Sequence, residues 1–468
     1  MYFRRELRRL FFISFLTSIV FFQTNSCKKS AKTTYERLME HINTIKVINT
    51  HEHQREPSNY EGYKHNFYTI LAHSYLKSDL VSAGAAPLPS DLIKQGNLDK
   101  LWDIYGQYLN YSRNTSYYSH LIRGFQVLYG FDQPYFSKEG IELLSVKIAE
   151  NYNNRERWYE KAFNSAHFEI MFVDPYWDAF DMEFDSRYFA PVFNINPLLL
   201  VILKRAKVAK KYAPSVQRFY NLAEIDKYPL KTLDDYLTFA DHLLQIFKER
   251  KIVALKNASA YWRSLDFEYV PYKQAKGLFA QPPSSLSDQQ EKSLVDFMFH
   301  WIIEKSIEID LPIQIHTGYL DGNSFIIERT RPIKLNNLFV RYPKATFILF
   351  HGGYPWTGEY TALGKMFPNV YLNIVWLPQI SRQAAVKTLD EMLDCVPYNK
   401  ILWGGDCEFI EESVGSLEFG KDIVARVLAM RVGRGLMTEQ VAKDVATKIF
   451  RENAIRIFKL KEIYNIDF

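Results

Sequence analysis

Short apolar runs recur along the chain and are separated by longer segments of mixed character. Eight such runs are four to six residues long and rich in Val, Ile, Leu and Phe, which is typical of buried strands. They are Lys46–Thr50, Phe168–Val173, Ala190–Asn194, Ile252–Leu255, Pro312–Ile315, Thr346–Phe350, Val370–Val375 and Lys400–Trp403. The third run is the least marked of the eight, because Pro191 interrupts it.

Helical periodicity fills most of the gaps between these runs. The clearest stretches are Leu233–Arg250, Asp288–Glu308, Ile333–Arg341, Ala384–Cys395 and Thr438–Phe458. Strands that alternate with helices indicate parallel βα units. Eight units of this kind predict an α/β fold, a closed (β/α)8 TIM barrel that occupies residues 45–468.

The largest departure from an ideal barrel lies between the first and second strands. Residues 54–165 form a Tyr-rich stretch of 112 residues, with helices expected at Ser90–Asp103 and Lys138–Trp158. We interpret this stretch as a mostly helical insertion over the catalytic face, and the alternative is a separate small domain. A second excursion at 195–230 is partly helical and basic, which is typical of a solvated face.

The N-terminus has the pattern of a secretion signal. Residues 1–26 begin with four arginines and continue into an apolar core from Leu10 to Phe22, which is too short to span a bilayer comfortably. Cys27 follows the small residue Ser26 and resembles a bacterial lipoprotein acylation site, although Thr24 departs from the usual Leu or Val. We therefore expect a lipid anchor at Cys27, a tether and first helix over 27–44, and location in the cell envelope. Without acylation the protein would be periplasmic or secreted.

Charge and cysteine content exclude several classes of protein. The formal charge is +5, but without residues 1–26 it is 54 Lys and Arg against 52 Asp and Glu, so no broad basic surface for nucleic acid is expected. Besides Cys27, only Cys395 and Cys407 remain, and two thiols make no disulfide framework. A lipid anchor would be the only membrane contact, and assembly into a homo-oligomer stays open.

Metal-binding residue types stand at the ends of several predicted strands. His51 and His53 follow the first strand two residues apart, so their side chains face the same side while Glu52 points away. His316, His351 and Asp406 follow three other strands. The carboxyl ends of barrel strands converge on one mouth, where active sites lie, so these side chains are expected to meet there. Since imidazole is a common metal ligand, the set predicts a metal centre.

Lys256 ends the fourth strand and leaves three alternatives open. A bare ammonium beside a divalent cation would be repelled and desolvated. Lys256 could be carbamylated by CO₂ into an anionic ligand that bridges two metals, it could face a substrate carboxylate, or it could point outward into the loop.

These strand-end groups resemble the amidohydrolase superfamily, and in particular the amidohydrolase-related family, close to the amidohydrolase domain of nodulin and glutamine-synthetase fusion proteins. The resemblance extends from about Lys231 to Lys461 and otherwise covers only the His51 and His53 motif. Its segments are Leu255–Arg263, Pro312–Gly318, His351–Pro355, Asn369–Asn373, Ile401–Asp406 and Phe450–Phe458. No glutamine synthetase part is present in this sequence.

The resemblance implies roles for individual residues. His51, His53, His316 and Asp406 would bind a divalent metal, usually zinc, as one or two ions. Asp406 would also take a proton from the activated water, and His351 would bind a second metal or polarise the substrate carbonyl.

Substrate recognition is less well marked. Tyr261 and Arg263 follow the fourth strand, and Arg263 could clamp a carboxylate or form a surface salt bridge. Thr317 and Asp321 are weaker candidates.

The favoured function is hydrolysis of a C–N bond in a small molecule. One such substrate would be an amide of an acidic small molecule. The alternatives are a metal-dependent decarboxylase or lyase, a sugar-acid isomerase, and a non-catalytic surface binding lipoprotein.

Overall fold

The computed structural model describes residues 32–54, 64–180, 182–204 and 212–468. Eight parallel strands are hydrogen-bonded in sequence order from β1 to β8. They are β1 Val47–Glu52, β2 Phe168–Val173, β3 Phe189–Asn194, β4 Ala254–Asn257, β5 Ile313–Ile315, β6 Phe347–Leu349, β7 Val370–Asn373 and β8 Ile401–Leu402. The predicted (β/α)8 barrel is confirmed, and each strand lies at one of the apolar runs.

Backbone hydrogen bonds beyond the end of β8 join it to β1. The amide of Asp406 donates to the carbonyl of His51 over 2.8 Å, and the amide of His53 donates to the carbonyl of Cys407 over 2.9 Å. The seam of the barrel therefore carries residues of the predicted metal centre, and strand pairing itself fixes the spacing of their backbones.

Helices follow the strands and cover the outside of the barrel. Those before β1 and between β1 and β2 are α1 Thr34–Ile42, α2 Phe67–His73, α3 Leu76–Ser82, α4 Ser90–Gln95, α5 Leu98–Tyr111, α6 Ser116–Tyr129, α7 Lys138–Tyr152 and α8 Arg155–Ala166. Those between β3 and β6 are α9 Asn196–Val201, α10 Ala213–Ile225, α11 Leu233–Glu249, α12 Tyr272–Phe279, α13 Asp288–Glu308 and α14 Asn336–Arg341. The remainder are α15 Thr357–Met366, α16 Leu377–Ile380, α17 Arg382–Cys395, α18 Ile410–Gly433, α19 Glu439–Thr447, α20 Asn453–Ile457 and α21 Leu460–Tyr464.

Several predicted helices end earlier than their periodicity indicates. The stretch Ser90–Asp103 is broken at Gly96, which has φ 66°, and Asn97 caps the next helix. The stretch Lys138–Trp158 is two helices, because the side chain of Asn154 accepts the amide of Arg157 and starts α8. The predicted helix Thr438–Phe458 contains a π-helical turn at Lys448–Glu452. Polar caps and a glycine therefore outweigh the apolar pattern at these points.

The helices between β1 and β2 are anchored on α18, the long helix after β8. The buried carboxylate of Glu411 accepts hydrogen bonds from Tyr129, Tyr152 and Trp158, which come from α6, α7 and α8. These three bonds tie the segment between β1 and β2 to the start of α18, beside the carboxyl end of β8. No helix among the described residues is long and apolar enough to cross a bilayer. The expected signal peptide and Cys27 lie outside the described residues.

Candidate metal centre and active site

The alternation of side chains along β1 places two imidazoles at the barrel mouth. The Nε2 atoms of His51 and His53 each lie 3.1 Å from the same oxygen, Oδ1 of Asp406. Glu52 points the other way, where its carboxylate accepts hydrogen bonds from the side chain of Asn49 and the amide of Cys407. Burial raises the pKa of Glu52 to about 8. The side chains of His51 and His53 therefore lie on one side of β1 and that of Glu52 on the other, as the alternation predicts.

The hydrogen bonding of His53 favours a cation between its ring and Asp406. Nδ1 of His53 lies 2.9 Å from the carbonyl oxygen of Asp174, which can only accept, so Nδ1 carries the proton. In the neutral ring, Nε2 then presents a lone pair to a carboxylate oxygen. Burial alone would lower the pKa of His53, but the contact with Asp406 raises it to about 9. This point therefore attracts a positive charge, from either a proton or a metal ion.

A second pair of imidazoles, those of His316 and His351, is arranged in a similar way. Nε2 of His316 lies 2.8 Å from the carbonyl oxygen of Tyr319, and Nδ1 of His351 lies 3.2 Å from the carbonyl oxygen of Val375. The remaining nitrogens, His316 Nδ1 and His351 Nε2, face each other at 3.0 Å. Both are unprotonated in the neutral rings, so this pair also calls for a cation. His351 lies 3.9 Å from Asp406 and so adjoins the first pair.

Lys256 points into this group. Its Nζ atom lies 3.3 Å from Nε2 of His51 and 3.7 Å from the centre of the Phe350 ring, and the residue is 2% exposed. Burial lowers the pKa of Lys256 to about 8. The alternative in which Lys256 points outward into the loop is therefore wrong, and its side chain belongs to the centre.

Asp174, which the sequence analysis did not single out, is also part of the centre. Ligand atoms of His51, His53 and Asp174 all lie within 4.8 Å of one another. The side chain of Asn194 at the end of β3 donates to both carboxylate oxygens of Asp174, over 3.1 and 3.2 Å. Asp174 directly follows β2, so its place after an apolar run was a usable signal.

The donor set fits a divalent metal. Imidazole nitrogens and carboxylate oxygens are the ligands of Zn²⁺ and its first-row neighbours, whereas Ca²⁺ and Mg²⁺ take mainly oxygen. Each of His53, His316 and His351 is oriented through its second nitrogen by a backbone carbonyl, an arrangement typical of metal-binding histidines. The residues present would hold such an ion between the side chains of β1 and Asp406.

The backbone at the strand ends is strained where the site residues stand. His351, Trp376 and Asp406 follow β6, β7 and β8 with φ of 64°, 61° and 67°, in the left-handed region that residues with a Cβ seldom adopt. The hydroxyl of Tyr75, from the segment between β1 and β2, donates to the carbonyl of Asp406. The ring of Tyr75 also packs 4.6 Å from Trp376, so the same side chain contacts two of these strained positions.

A cavity of about 250 Å³ opens over these groups. Its lining combines residues of the centre with aromatic and acidic side chains from the loops. The lining includes His53, Tyr75, Asp174, Tyr176, Lys256, Tyr261, His316, Asp321, Asp406, Glu408 and Glu412. The volume suits a small molecule, which agrees with the predicted class of substrate.

The two predicted substrate contacts differ in outcome. Tyr261 lines the cavity, its ring lies 4.9 Å from that of His316, and its hydroxyl accepts the amide of Asp321. Arg263 does not line this cavity, because its guanidinium donates to the buried carboxylate of Asp296 over 2.6 Å. The expectation that Arg263 clamps a substrate carboxylate is therefore corrected. Arg263 instead forms the salt bridge that was the alternative, and this salt bridge with Asp296 is largely buried.

Cys407 is not placed for nucleophilic chemistry. It is 1% exposed, its thiol contacts the Gln379 side chain at 3.2 Å, and burial raises the pKa of the thiol well above its usual value. Cys395 and Cys407 are both free thiols.

The C-terminal part of the chain is similar to a known protein family, and the barrel is similar to solved structures. The Amidohydrolase family model matches residues 280–460, the segment that carries His316, His351 and Asp406. A curated relative, Protein fluG of Emericella nidulans, is 28% identical over 230 residues, or 45% of this chain. The chain spans about a quarter of that relative, since the match covers 26% of its length. Residues 280–460 are therefore similar to the Amidohydrolase family.

Solved structures share the fold at low sequence identity. Uronate isomerase of Thermotoga maritima aligns with a TM-score of 0.73 and 14% identity, over 91% of this chain and 97% of that chain. Glucuronate isomerase of Caulobacter crescentus aligns with a TM-score of 0.71 and 13% identity, over 94% of this chain and 97% of that chain. At such identities the likeness concerns the fold alone.

Proposed function

We propose that this enzyme hydrolyses a C–N bond of amide type in a small molecule. The observation that carries the proposal is the meeting of His51 and His53 on one oxygen of Asp406, with the pair His316 and His351 alongside. Backbone carbonyls hold three of these four imidazoles, those of His53, His316 and His351, so these rings need little reorganisation to bind a cation.

A divalent ion held at this point would supply Lewis-acid chemistry, by polarising a carbonyl and lowering the pKa of water. The residues of the chain would do the rest. Asp406 would accept the proton of the attacking water and return it to the leaving nitrogen, as a general base and then a general acid. His351, anchored through Nδ1, would contribute to holding the metal or the carbonyl oxygen of the substrate.

We propose zinc as the metal, because the donors are imidazole and carboxylate without thiolate. The two pairs of facing donors support two ion positions, one at His51, His53 and Asp406 and one at His316 and His351. Carbamylated Lys256 would provide an anionic bridge, and its position 3.3 Å from His51 supports that role.

The decarboxylase and sugar-acid isomerase alternatives require a carboxylate of the substrate in the cavity. Among the described residues that line it, five are Asp or Glu and one is Lys, without an Arg. Two of the five, Asp174 and Asp406, belong to the metal centre, and the other three support an uncharged or cationic substrate over an acidic one.

The test is product analysis with enzyme purified without chelator and loaded with zinc. A panel of small amides, carboxylates and uronates is incubated with the enzyme, and released amine, CO₂ and ketose are measured. We expect amine release from amides that depends on added metal and is lost in Asp406→Asn. Release of CO₂, or conversion of uronates without amine release, would contradict the proposal. Metal-free protein that binds a ligand without turnover would favour the binding lipoprotein.

We also propose that Cys27 is acylated and anchors the enzyme in the cell envelope. The motif described above supports this location. The full-length chain is expressed in bacteria that are fed an alkynyl fatty acid. We expect label on the chain and its recovery in the membrane fraction, and loss of both in Cys27→Ser. An unlabelled wild-type chain in the soluble fraction would contradict the anchor.

A further inference from the structure

Three acidic side chains form one wall of the cavity apart from the metal donors. Asp321 comes from the loop after β5, Glu408 from the loop after β8, and Glu412 from the first turn of α18. Mutual repulsion makes such a grouping unfavourable unless positive charge or hydrogen-bond donors face it.

Glu412 is the most unusual member of this wall. It is 1% exposed, yet neither of its carboxylate oxygens accepts a hydrogen bond, and its nearest basic group, Nε2 of His120, is 4.0 Å away. Burial raises the pKa of Glu412 well above its usual value, and a cation bound beside it would favour the charged carboxylate. A buried carboxyl without donors is costly, so a donor supplied by a ligand would relieve this cost.

Asp321 adds a second unsatisfied acceptor. Its Oδ1 atom is buried without a hydrogen-bond partner, and Oδ2 lies 3.5 Å from the ammonium of Lys77. Burial would lower the pKa of Lys77, but Asp321, Glu408 and Glu412 together raise it. One ammonium is thus shared among three carboxyls.

Glu408 is the member of this wall with bonds of its own. It contacts Nδ1 of His73 at 2.9 Å and accepts the hydroxyl of Tyr176 at 2.8 Å. Because Glu408 already has these contacts, the acceptors without a hydrogen bond at this wall are the carboxyl of Glu412 and Oδ1 of Asp321.

We infer that Glu412, with Asp321, forms a subsite for a protonated amine carried by the substrate. An ammonium has three donors and no acceptor, which matches carboxylate oxygens that lack donors. The rings of Tyr75, Tyr176 and Tyr261, which also line the cavity, suit the same group because aromatic faces attract cations. The inference rests on the proposed hydrolysis only in identifying the ligand as a substrate, which would be an amide bearing a basic group.

The experiment measures binding rather than turnover. Calorimetric titration of the full-length, zinc-loaded protein with n-butylammonium chloride and with n-butanol compares a charged and an uncharged ligand of similar shape. We expect the ammonium to bind at least about tenfold more tightly, since a charge-assisted hydrogen bond is stronger than a neutral one. The preference should fall to about that of the alcohol in Glu412→Gln.

Two further variants keep the test decisive. Glu411→Gln is the control, because it removes the adjacent buried carboxylate, which does not line the cavity. The side chain of Glu411 accepts hydrogen bonds from Tyr129, Tyr152 and Trp158 instead. This variant should keep the preference for the ammonium over the alcohol. Should Glu412→Gln not fold, Asp321→Asn at the half-buried position should lower the preference severalfold. Equal affinity of the two ligands for wild type, or a preference that survives in folded Glu412→Gln, would overturn the inference.

The outcome separates this inference from the proposed function. A Glu412-dependent preference without amide hydrolysis would retain the subsite and reject the hydrolase. Metal-dependent hydrolysis of neutral amides, with no preference for butylammonium, would retain the hydrolase and reject the subsite.

Discussion

His316 and His351 face each other with ring nitrogens 3.0 Å apart, and a backbone carbonyl holds the other nitrogen of each ring. Neither carbonyl can donate, so two lone pairs meet unless a proton or metal ion lies between them. The pair comes from β5 and β6, whose register fixes its spacing. This relation shows that the two rings need a positive charge between them, from a proton or a metal ion.

His316→Ala should abolish turnover and lower metal affinity at least about tenfold. The variant removes a metal donor and takes away the nitrogen that Nε2 of His351 faces. Metal content after dialysis and kcat/KM measure the two effects. The control is His242→Ala, a half-exposed histidine on α11 that pairs with Asp226 at 3.5 Å. Normal metal content and activity in His316→Ala would contradict the assignment of this residue.

Lys256 is predicted to form a carbamate that serves as a metal ligand. An amine with a pKa of about 8 has a neutral fraction at neutral pH, which is the form that reacts with CO₂. Reloading with zinc in ¹³C-bicarbonate should give a carbamate NMR signal that Lys256→Ala lacks, together with a lower ratio of metal to protein. Lys400→Ala is the matched control, since Lys400 is a buried lysine with a pKa near 8 whose Nζ binds the carbonyls of Gly364 and Phe367. Unchanged metal stoichiometry in Lys256→Ala would exclude the carbamate.

Tyr75→Phe should lower kcat about fivefold with little change in KM. The variant removes the hydroxyl that holds the carbonyl of Asp406 in its left-handed conformation, a bond worth about 1 kcal/mol, while the aromatic packing on Trp376 remains. The control is Tyr105→Phe, which removes a hydrogen bond of 3.1 Å from the Tyr105 hydroxyl to the carbonyl of Pro87. Tyr105 lies in the same segment between β1 and β2. Equal effects of the two variants on kcat would indicate a purely structural role for Tyr75.

Gly405→Ala should destabilise the fold by about 1 to 3 kcal/mol, as overpacking of a buried site does. A Cβ at Gly405 would lie 2.0 Å from Oε1 of Glu52, and hydrogen bonds from Asn49 and Cys407 keep that carboxylate in place. Gly277→Ala on α12 meets no atom within 4 Å, so it should raise stability by up to about 1 kcal/mol. Urea unfolding measures both changes, and an unaltered midpoint in Gly405→Ala would show that Glu52 can move.

The barrel was predictable because the strands are buried on both faces. Even β8, which has only two residues, was found because an apolar run led into Gly404 and Asp406. The π-helical turn at Lys448–Glu452 was not predictable, because its residues keep a helical pattern.

The site was predictable where it depended on position after a strand, and less so where it depended on distant contacts. His51, His53 and Asp406 meet because strand ends converge. Arg263 also follows a strand, but its partner Asp296 lies on α13, and no local pattern reveals that pairing. Asp174 was missed although it had the same signal as the others.

The most direct measurement is the metal content of chelator-free protein by mass spectrometry, together with activity before and after metal removal and re-addition. We expect at least one divalent ion per chain in the wild type. Activity should disappear on removal and return on re-addition, and the ion should be lost in a folded His53→Ala variant. A metal-free wild type with full activity, or a His53→Ala variant that keeps its metal, would contradict the claim that these side chains form a metal centre.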